Sequence, residues 1–310
     1  MNDHGSSVEW STVNWHALGI VTHQHFLEVT STNDVARETA GSLTEDSFPL
    51  LITCERQTRG RGRNGRQWWH GQGGLACSIV LPLPSQVNED PLAPRHVPQR
   101  LAIWTAVCLQ ETAARFLTNQ VCQIKWPNDL MIADRKNAGI LIEPVPLDGR
   151  TPSVASNLNR DAIGPARLVV VGIGVNINNT DVENREFAST DWFSWSETRQ
   201  RFAVPRVLAD FLARWLPRSP DWPPPMSLLQ SRFVGVDWLR GKRLEIQAMG
   251  AWTILPNGDL RVVDLDQRTD LPVTLFGTYA GIDERGFLRL RSDNGDLWVF
   301  PSVQRVHALS

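Results

Sequence analysis

Residues 168–178 read LVVVGIGVNIN, an apolar and valine-rich run that predicts a β-strand. Gly172 and Gly174 stand two residues apart in it, so they share one face of the strand and leave that face bare. A bare face lets a ring or another backbone approach closely. Tight strand packing is the plain interpretation, and a floor for a ligand is the functional one. No GxGxxG opens a helix here, so a dinucleotide-binding fingerprint is excluded, and the chain has no P-loop.

Strands and helices alternate irregularly outward from this run. Ser31-Thr32-Asn33-Asp34 predicts a helix N-cap and Gly41 a helix end, and Pro205 begins a second helix. Further strands are predicted at 49–54, 75–83, 121–125 and 138–143, with a long amphipathic helix at 99–117. The order lacks strict β-α-β alternation, so we predict an α+β fold.

The hydrophobic pattern of the sequence changes after about residue 237. Short alternating runs at 244–246, 260–263, 287–290 and 297–300 are separated by turns such as Asn257-Gly258 and Asn294-Gly295. We therefore predict an N-terminal arm at 1–24, a large domain at 25–236, and a small antiparallel barrel at 237–310. Residues 144–167 have several prolines and no periodicity, which indicates an inserted surface loop.

Composition narrows the class of protein. The formal net charge of −2 over 310 residues gives no global attraction for nucleic acid or an anionic membrane. The four cysteines form no CxxC pair and no zinc-type spacing, which favours buried reduced thiols. No secretory signal and no membrane-length apolar run is visible, so we expect a cytoplasmic protein without membrane contact.

Residues 59–66 read RGRGRNGR, with four guanidinium groups and three glycines. Such a segment must be a loop, because unpaired arginines are costly to bury and glycine weakens regular structure. Its amides and guanidiniums could bind an anion. Alone, it equally fits a solvated basic loop or an RGG-like nucleic-acid segment.

Residues 125–129 read KWPND, and residues 134–143 read DRKNAGILIE. We interpret the two as a hairpin with Lys136 at the mouth of its second strand, where a lysine can reach a site on the sheet. An ordinary exposed turn lysine is the alternative, and Asp129 could equally serve to cap the turn.

Taken in order, STN at 31–33, GRGRNGR at 60–66, KWPND at 125–129 with KNAGI at 136–140, and GIGVN at 172–176 resemble the catalytic module of biotin–protein ligases over about residues 25–235. A weaker likeness continues at 277–286 to the SH3-like domain of that family. The resemblance implies a mixed sheet with flanking helices, similar to class II aminoacyl-tRNA synthetases, plus a small C-terminal SH3-like β-barrel.

The resemblance also implies an activity: formation of biotinyl-5′-AMP from biotin and ATP, then transfer of biotin to a lysine of a biotin carboxyl carrier protein. The catalytic residues it implies are Lys136, Arg63 and Asp129, the last as acceptor of the lysine proton. Biotin contacts are implied for Ser31, Thr32, Asn33, Gln57, Gly60, Arg61, Gly62, Arg63 and Lys136. ATP or adenylate contacts are implied for Arg61, Arg63, Trp68, Asn128, Asn176, Gly172 and Gly174. Mg²⁺ is expected on chemical grounds with no ligands named.

Two alternatives remain beside this prediction. A lipoate–protein ligase would share the fold and the adenylate strategy, although the GRGRNGR loop favours biotin. A nucleic-acid-binding protein could use the Arg/Gly loop, against which the net charge counts. Only 30 residues precede Ser31, which is too few for a winged helix-turn-helix, so we expect ligase activity without specific DNA binding.

Overall fold

The computed structural model describes residues 9–82, 93–145, 168–179, 188–216, 222–249, 251–254, 260–263 and 272–309. Within them, two seven-stranded sheets and four helices form an α+β fold, as predicted. The N-terminal sheet has the strand order β1-β2-β3-β7-β6-β5-β4. Among its neighbouring pairs only β1 and β2 run parallel. Its strands are β1 (Thr22–Val29), β2 (Leu50–Gln57), β3 (Leu75–Pro82), β4 (Cys122–Lys125), β5 (Asp129–Ile132), β6 (Arg135–Val145) and β7 (Leu168–Val175).

The two faces of this sheet are covered differently. On one face, the short helix α1 (Thr32–Ala40) packs through Ala36 and Ala40 against Ile52 and Val80. The other face holds the main core beneath α2 (Ala93–Phe116), α3 (Val204–Trp215) and α4 (Met226–Val234). The α1 face is the one to which Gly172 and Gly174 belong, because the Asn33 side chain stands over Gly172.

Three local predictions need correction, and one helix was not predicted. Residues 121–143 form three strands and not one hairpin, because β5 pairs with both β4 and β6. The long helix is buried on all sides over 101–109, since sheet and helices enclose it, so its amphipathic interpretation was wrong there. The helix α4 was missed. The expected insertion begins later than predicted, because residues 144–145 close β6; residues 146–167 lie outside the described residues.

The predicted arm at 1–24 is described from residue 9 onward. Trp10 and Trp15 are buried in the main core, and β1 begins at Thr22, within the predicted arm. These tryptophans stack near His23 and His25, so this segment packs onto the edge of the sheet. The boundary at residue 24 stays a prediction.

The C-terminal sheet is antiparallel, with strand order β10-β9-β13-β12-β11-β8-β14. Its strands are β8 (Arg243–Ala248), β9 (Ala251–Ile254), β10 (Leu260–Val263), β11 (Val273–Ile282), β12 (Leu288–Arg291), β13 (Leu297–Phe300) and β14 (Arg305–Leu309). Three of these strands (β8, β10 and β13) contain predicted runs, and β12 overlaps the run predicted at 287–290. The Asn257-Gly258 turn lies outside the described residues.

Gly286 connects this sheet to the N-terminal sheet. Its carbonyl accepts hydrogen bonds from Trp126 Nε1 at 2.9 Å and Gln99 Nε2 at 3.3 Å. Its φ of +84° favours glycine, and a Cβ there would lie 2.8 Å from Ile103 Cδ1. The two sheets therefore share one continuous core. None of the helices in the described part of the chain is long and apolar enough to cross a membrane.

Candidate functional site

The Arg/Gly loop is folded back on itself as a narrow hairpin. Trp68 N donates to the Gly60 carbonyl at 2.8 Å and Gly62 N to the Arg66 carbonyl at 2.7 Å. A Cβ on Gly60 would lie 2.5 Å from the Trp68 carbonyl oxygen, so glycine is required for this close approach. A short 3-10 turn at Arg63–Gly65 makes the tip. Gln304 O of the C-terminal sheet accepts hydrogen bonds from Asn64 and Arg66 in this segment.

The loop arginines are engaged with polar partners. Arg61 Nη2 lies 2.6 Å from Asp34 Oδ1 and 3.1 Å from Glu143 Oε2. Arg63 Nη1 donates to Asn128 Oδ1 at 3.2 Å. Asn128 is itself fixed, because its Nδ2 donates to the Ile140 carbonyl at 2.7 Å. A purely solvated basic loop is therefore not what the structure contains.

The bare face of β7 is occupied by side chains of the chain itself. A Cβ on Gly174 would lie 2.4 Å from Trp68 Cε2, and one on Gly172 would lie 2.2 Å from Asn33 Oδ1. The Trp68 ring extends over the neighbouring Gly139 of β6 as well. Its Nε1 is buried and has no hydrogen-bond partner within the described residues. The face on which the sequence predicted a floor is thus covered by the Trp68 ring and the Asn33 side chain.

Lys136 borders this floor. Its Nζ lies 2.7 Å from Asp129 Oδ1 and 5.7 Å from the centre of the Trp68 ring. Both members of the ion pair are mostly buried, with 27% and 21% of their side chains exposed. Close pairing in a partly dry site makes the attraction between them stronger than on an open surface.

Lys125, in the KWPND stretch, was not predicted as a site residue. Burial lowers its pKa below the usual range for lysine; nearby Asp129 opposes that shift, and the cation of Lys136 adds to it. Its Nζ lies 5.1 Å from the centre of the Trp238 ring. This corner of the site therefore already holds several cations close together.

The start of α1 forms a buried polar cluster above the sheet. Gln57 Oε1 accepts hydrogen bonds from Thr32 N at 2.8 Å and from Thr32 Oγ1 at 3.1 Å. Ser78 Oγ lies 2.8 Å from Thr32 Oγ1 and 2.6 Å from Asn33 Oδ1. Ser31 is buried beside them. Ser78 was missed, although a single serine in the apolar strand β3 was a usable signal.

Asn176 and Asn137 lie at the end of β7. The Asn176 Oδ1 accepts a hydrogen bond from Asn179 Nδ2 at 2.8 Å, so this side chain is engaged within the protein. Asn137, to which no role was assigned, is fully buried and bonded to the neighbouring segment that contains Trp192. Asn137 therefore holds Lys136 in place through the backbone.

The structure thus brings the predicted residues together around one face of β6 and β7. A cavity of about 710 Å³ lies elsewhere, between the end of α2 and the start of α3, and no predicted site residue lines it. Among the described residues, no group of three or more His, Cys, Asp or Glu side chains is arranged to hold a metal ion.

Comparisons with known proteins find relatives by sequence and by fold. Residues 26–161 match the family model described as "Biotin/lipoate A/B protein ligase family". The bifunctional ligase/repressor BirA of Salmonella typhimurium is 29% identical over 169 residues, which are 54% of this chain and 44% of that protein. The biotin–[acetyl-CoA-carboxylase] ligase of Paracoccus denitrificans is 33% identical over 147 residues, 47% of this chain and 51% of that protein. The chain thus matches about half the length of these curated relatives.

Solved structures extend the likeness to the whole fold. The biotin protein ligase from Aquifex aeolicus in complex with biotin and ATP superposes with a TM-score of 0.65 at 18% identity, covering 93% of this chain and 99% of that one. The predicted class of fold, with a small C-terminal β-domain, is confirmed. The sequence of residues 26–161 is thus similar to the biotin/lipoate A/B protein ligase family, and the likeness to the Aquifex aeolicus enzyme is one of fold.

Proposed function

We propose that this chain is a biotin–protein ligase that makes biotinyl-5′-AMP and transfers the biotinyl group to a lysine of a biotin carboxyl carrier protein. The observation that carries the proposal is that three cations border β6. Lys136 lies beside Gly139, Arg61 is bonded to Glu143, and Arg63 is bonded to Asn128, whose amide donates to the Ile140 carbonyl. The names of relatives, including the Paracoccus denitrificans ligase and the Aquifex aeolicus enzyme bound to biotin and ATP, support the same choice of substrates.

The first step brings two anions together. A carboxylate oxygen of biotin attacks the α-phosphorus of ATP, and the bond from that phosphorus to pyrophosphate breaks. Charge builds up on the phosphoryl oxygens, so catalysis needs fixed cations there. Lys136 and Arg63 are the groups that we assign to this task, and Arg61 to the biotin carboxylate. Each would exchange a partner in the protein for a ligand oxygen.

The polar cluster at the start of α1 suits the ureido ring of biotin. That ring offers two N–H donors and one carbonyl acceptor, which a buried site must satisfy. Thr32, Asn33, Gln57 and Ser78 supply hydroxyl and amide groups of both kinds in a buried setting. Ser31 and the backbone of Gly60 and Gly62 would complete the rim.

The second step needs a neutral lysine amine, which attacks the acyl carbonyl and releases AMP. Asp129 is our candidate for accepting the proton of that amine. It is paired with Lys136 here, so its carboxylate is freed only when Lys136 moves to the ligand. Trp68, Asn128, Asn176 and the two glycines would surround the adenylate. Mg²⁺ is expected with ATP on chemical grounds, since its usual partners are phosphate and carboxylate oxygens.

The test is pyrophosphate release with ATP and either biotin or lipoate, followed by transfer of labelled biotin to a carrier domain. We expect release with biotin, label on the carrier lysine, and loss of both in Lys136→Ala. Release with lipoate alone would replace the proposal by the lipoate ligase. Wild-type release in Lys136→Ala would refute the assignment of Lys136.

A further inference from the structure

Glu143 is a mostly buried carboxylate that no step above uses. It lies on β6 four residues after Gly139, so both residues are on the face of the sheet that carries the site. Its side chain is 20% exposed. Its neighbours come from two separate parts of the chain, namely α1 and the Arg/Gly loop.

One oxygen of Glu143 receives three donors. Asn33 Nδ2 lies 2.7 Å from Oε2, Arg61 Nη2 lies 3.1 Å from it, and Arg37 Nη2 lies 3.1 Å from it. A carboxylate oxygen has about two lone-pair directions, so three donors compete for it. A ligand acceptor that takes one donor away leaves the other two better bound.

The charges around this oxygen balance. Glu143 and Asp34 supply two negative charges, and Arg37 and Arg61 supply two positive ones. Removing the charge of Glu143 leaves Arg61 with Asp34 alone, whose side chain is 44% exposed and therefore more strongly screened. Of the two carboxylates that hold Arg61, Glu143 is thus the less exposed to solvent.

We propose that Glu143 is a positioning residue. It couples binding of the acid at the polar cluster at the start of α1, through Asn33, to the placement of Arg61 at the reacting carboxylate and phosphate. The inference rests on the proposed function. A ligand that accepts the hydrogen bond of the Asn33 amide leaves Glu143 to hold Arg61 more firmly, so the acid and the nucleotide bind better together than separately. Such coupling is reciprocal by thermodynamic necessity.

The experiment measures both ligands on the full chain by calorimetry. The probes are biotin and adenosine 5′-(α,β-methylene)triphosphate, which cannot release pyrophosphate, each titrated with and without the other. We expect wild-type protein to bind the pair at least about 5-fold more tightly than the separate ligands. In Glu143→Gln this factor should fall towards 1, while each ligand alone still binds.

Glu38→Gln is the matched control, since Glu38 is an exposed carboxylate on α1. It removes the same charge and should leave the factor unchanged. If Glu143→Gln does not fold, Glu143→Asp keeps the charge and shortens the reach, and it should lower the factor in part. A wild-type factor in either folded Glu143 variant overturns the inference alone. Wild-type protein that binds no biotin overturns the proposed function, and the inference with it.

Discussion

Replacing Gly174 by alanine tests whether the glycine face of β7 receives a ligand. The added Cβ would lie 2.4 Å from Trp68 Cε2, 2.5 Å from its Nε1 and 2.7 Å from its Cζ2. Carbon atoms in contact lie about 3.5 to 4.0 Å apart. The indole must therefore withdraw by about 1 Å, because β7 is held between β3 and β6 and cannot yield easily.

The size of the effect depends on which group can move to relieve the overlap with the added Cβ. Overpacking in a fixed site costs about 1 to 3 kcal/mol. Trp68 belongs to a loop and its buried Nε1 has no hydrogen-bond partner in the described residues, so moving the ring is cheap. We therefore expect about 1 kcal/mol of lost stability. A nucleotide ring that binds on this side of β7 must pack on the displaced indole or take its place. It is disturbed by the added methyl group in either case, so its affinity should fall about 5- to 150-fold, which corresponds to the full 1 to 3 kcal/mol.

Calorimetric titration with ATP measures the affinity, and urea denaturation measures the stability separately. Gly235→Ala is the control, because no atom lies within 4 Å of a Cβ at that position, and both quantities should stay at wild-type values. If Gly174→Ala binds ATP as tightly as wild-type protein, the bare face of β7 is a packing feature and not part of the ligand site.

Two further variants probe the supporting structure. Asn137→Ala removes a buried amide that donates to two main-chain carbonyls at 2.8 and 3.2 Å and accepts a hydrogen bond from Trp192 Nε1 at 2.8 Å. Urea denaturation should therefore show that the free energy of unfolding falls by about 3 kcal/mol. A fall of less than about 1 kcal/mol would contradict its structural role. Burial, and then the neighbouring His25, lower the pKa of His23 to about 4 from 6.5. The folded state therefore binds this proton more weakly than the unfolded chain, and stability falls as pH drops from about 6.5 towards 4. His23→Gln should reduce the loss of unfolding free energy between pH 7.5 and 5 by about 1 kcal/mol, since solvent screens the partly exposed ring; an unchanged pH profile would exclude His23 as the cause.

The sequence was informative wherever structure is decided locally. The valine run of β7 and the residues that flank α1 identify their own elements, because these signals extend over only a few residues, although Ser31 makes no side-chain capping hydrogen bond. The four-residue strand β5 was missed, since it lies between two turn signals and is too short to show a period of its own.

Long-range contacts explain the site residues that were missed. Glu143 meets Asn33 and Arg61 across 110 and 82 residues of chain, so no local pattern reveals the pairing. Ser78 meets Thr32 and Asn33 across 46 and 45 residues of chain. The available signal was weaker: a single polar side chain inside or at the end of an apolar strand, where burial demands a partner.

Two cations of the site are held in ion pairs, and this bears on what the site can bind. Arg61 is held by Asp34 and Glu143, and Lys136 by Asp129, whereas Arg63 donates to the neutral amide of Asn128. Attraction of a long polyanion at a distance depends on net charge, and the whole chain has a formal net charge of −2. A small ligand that brings a carboxylate and a phosphate into contact can still take the place of Asp129 at Lys136 and of Asp34 at Arg61, while Glu143 keeps its hold on Arg61. The exchange swaps one close anion for another, so it costs less than creating a new buried charge pair. The pairing therefore favours a compact acid and nucleotide over nucleic acid, although the loop taken alone fitted both.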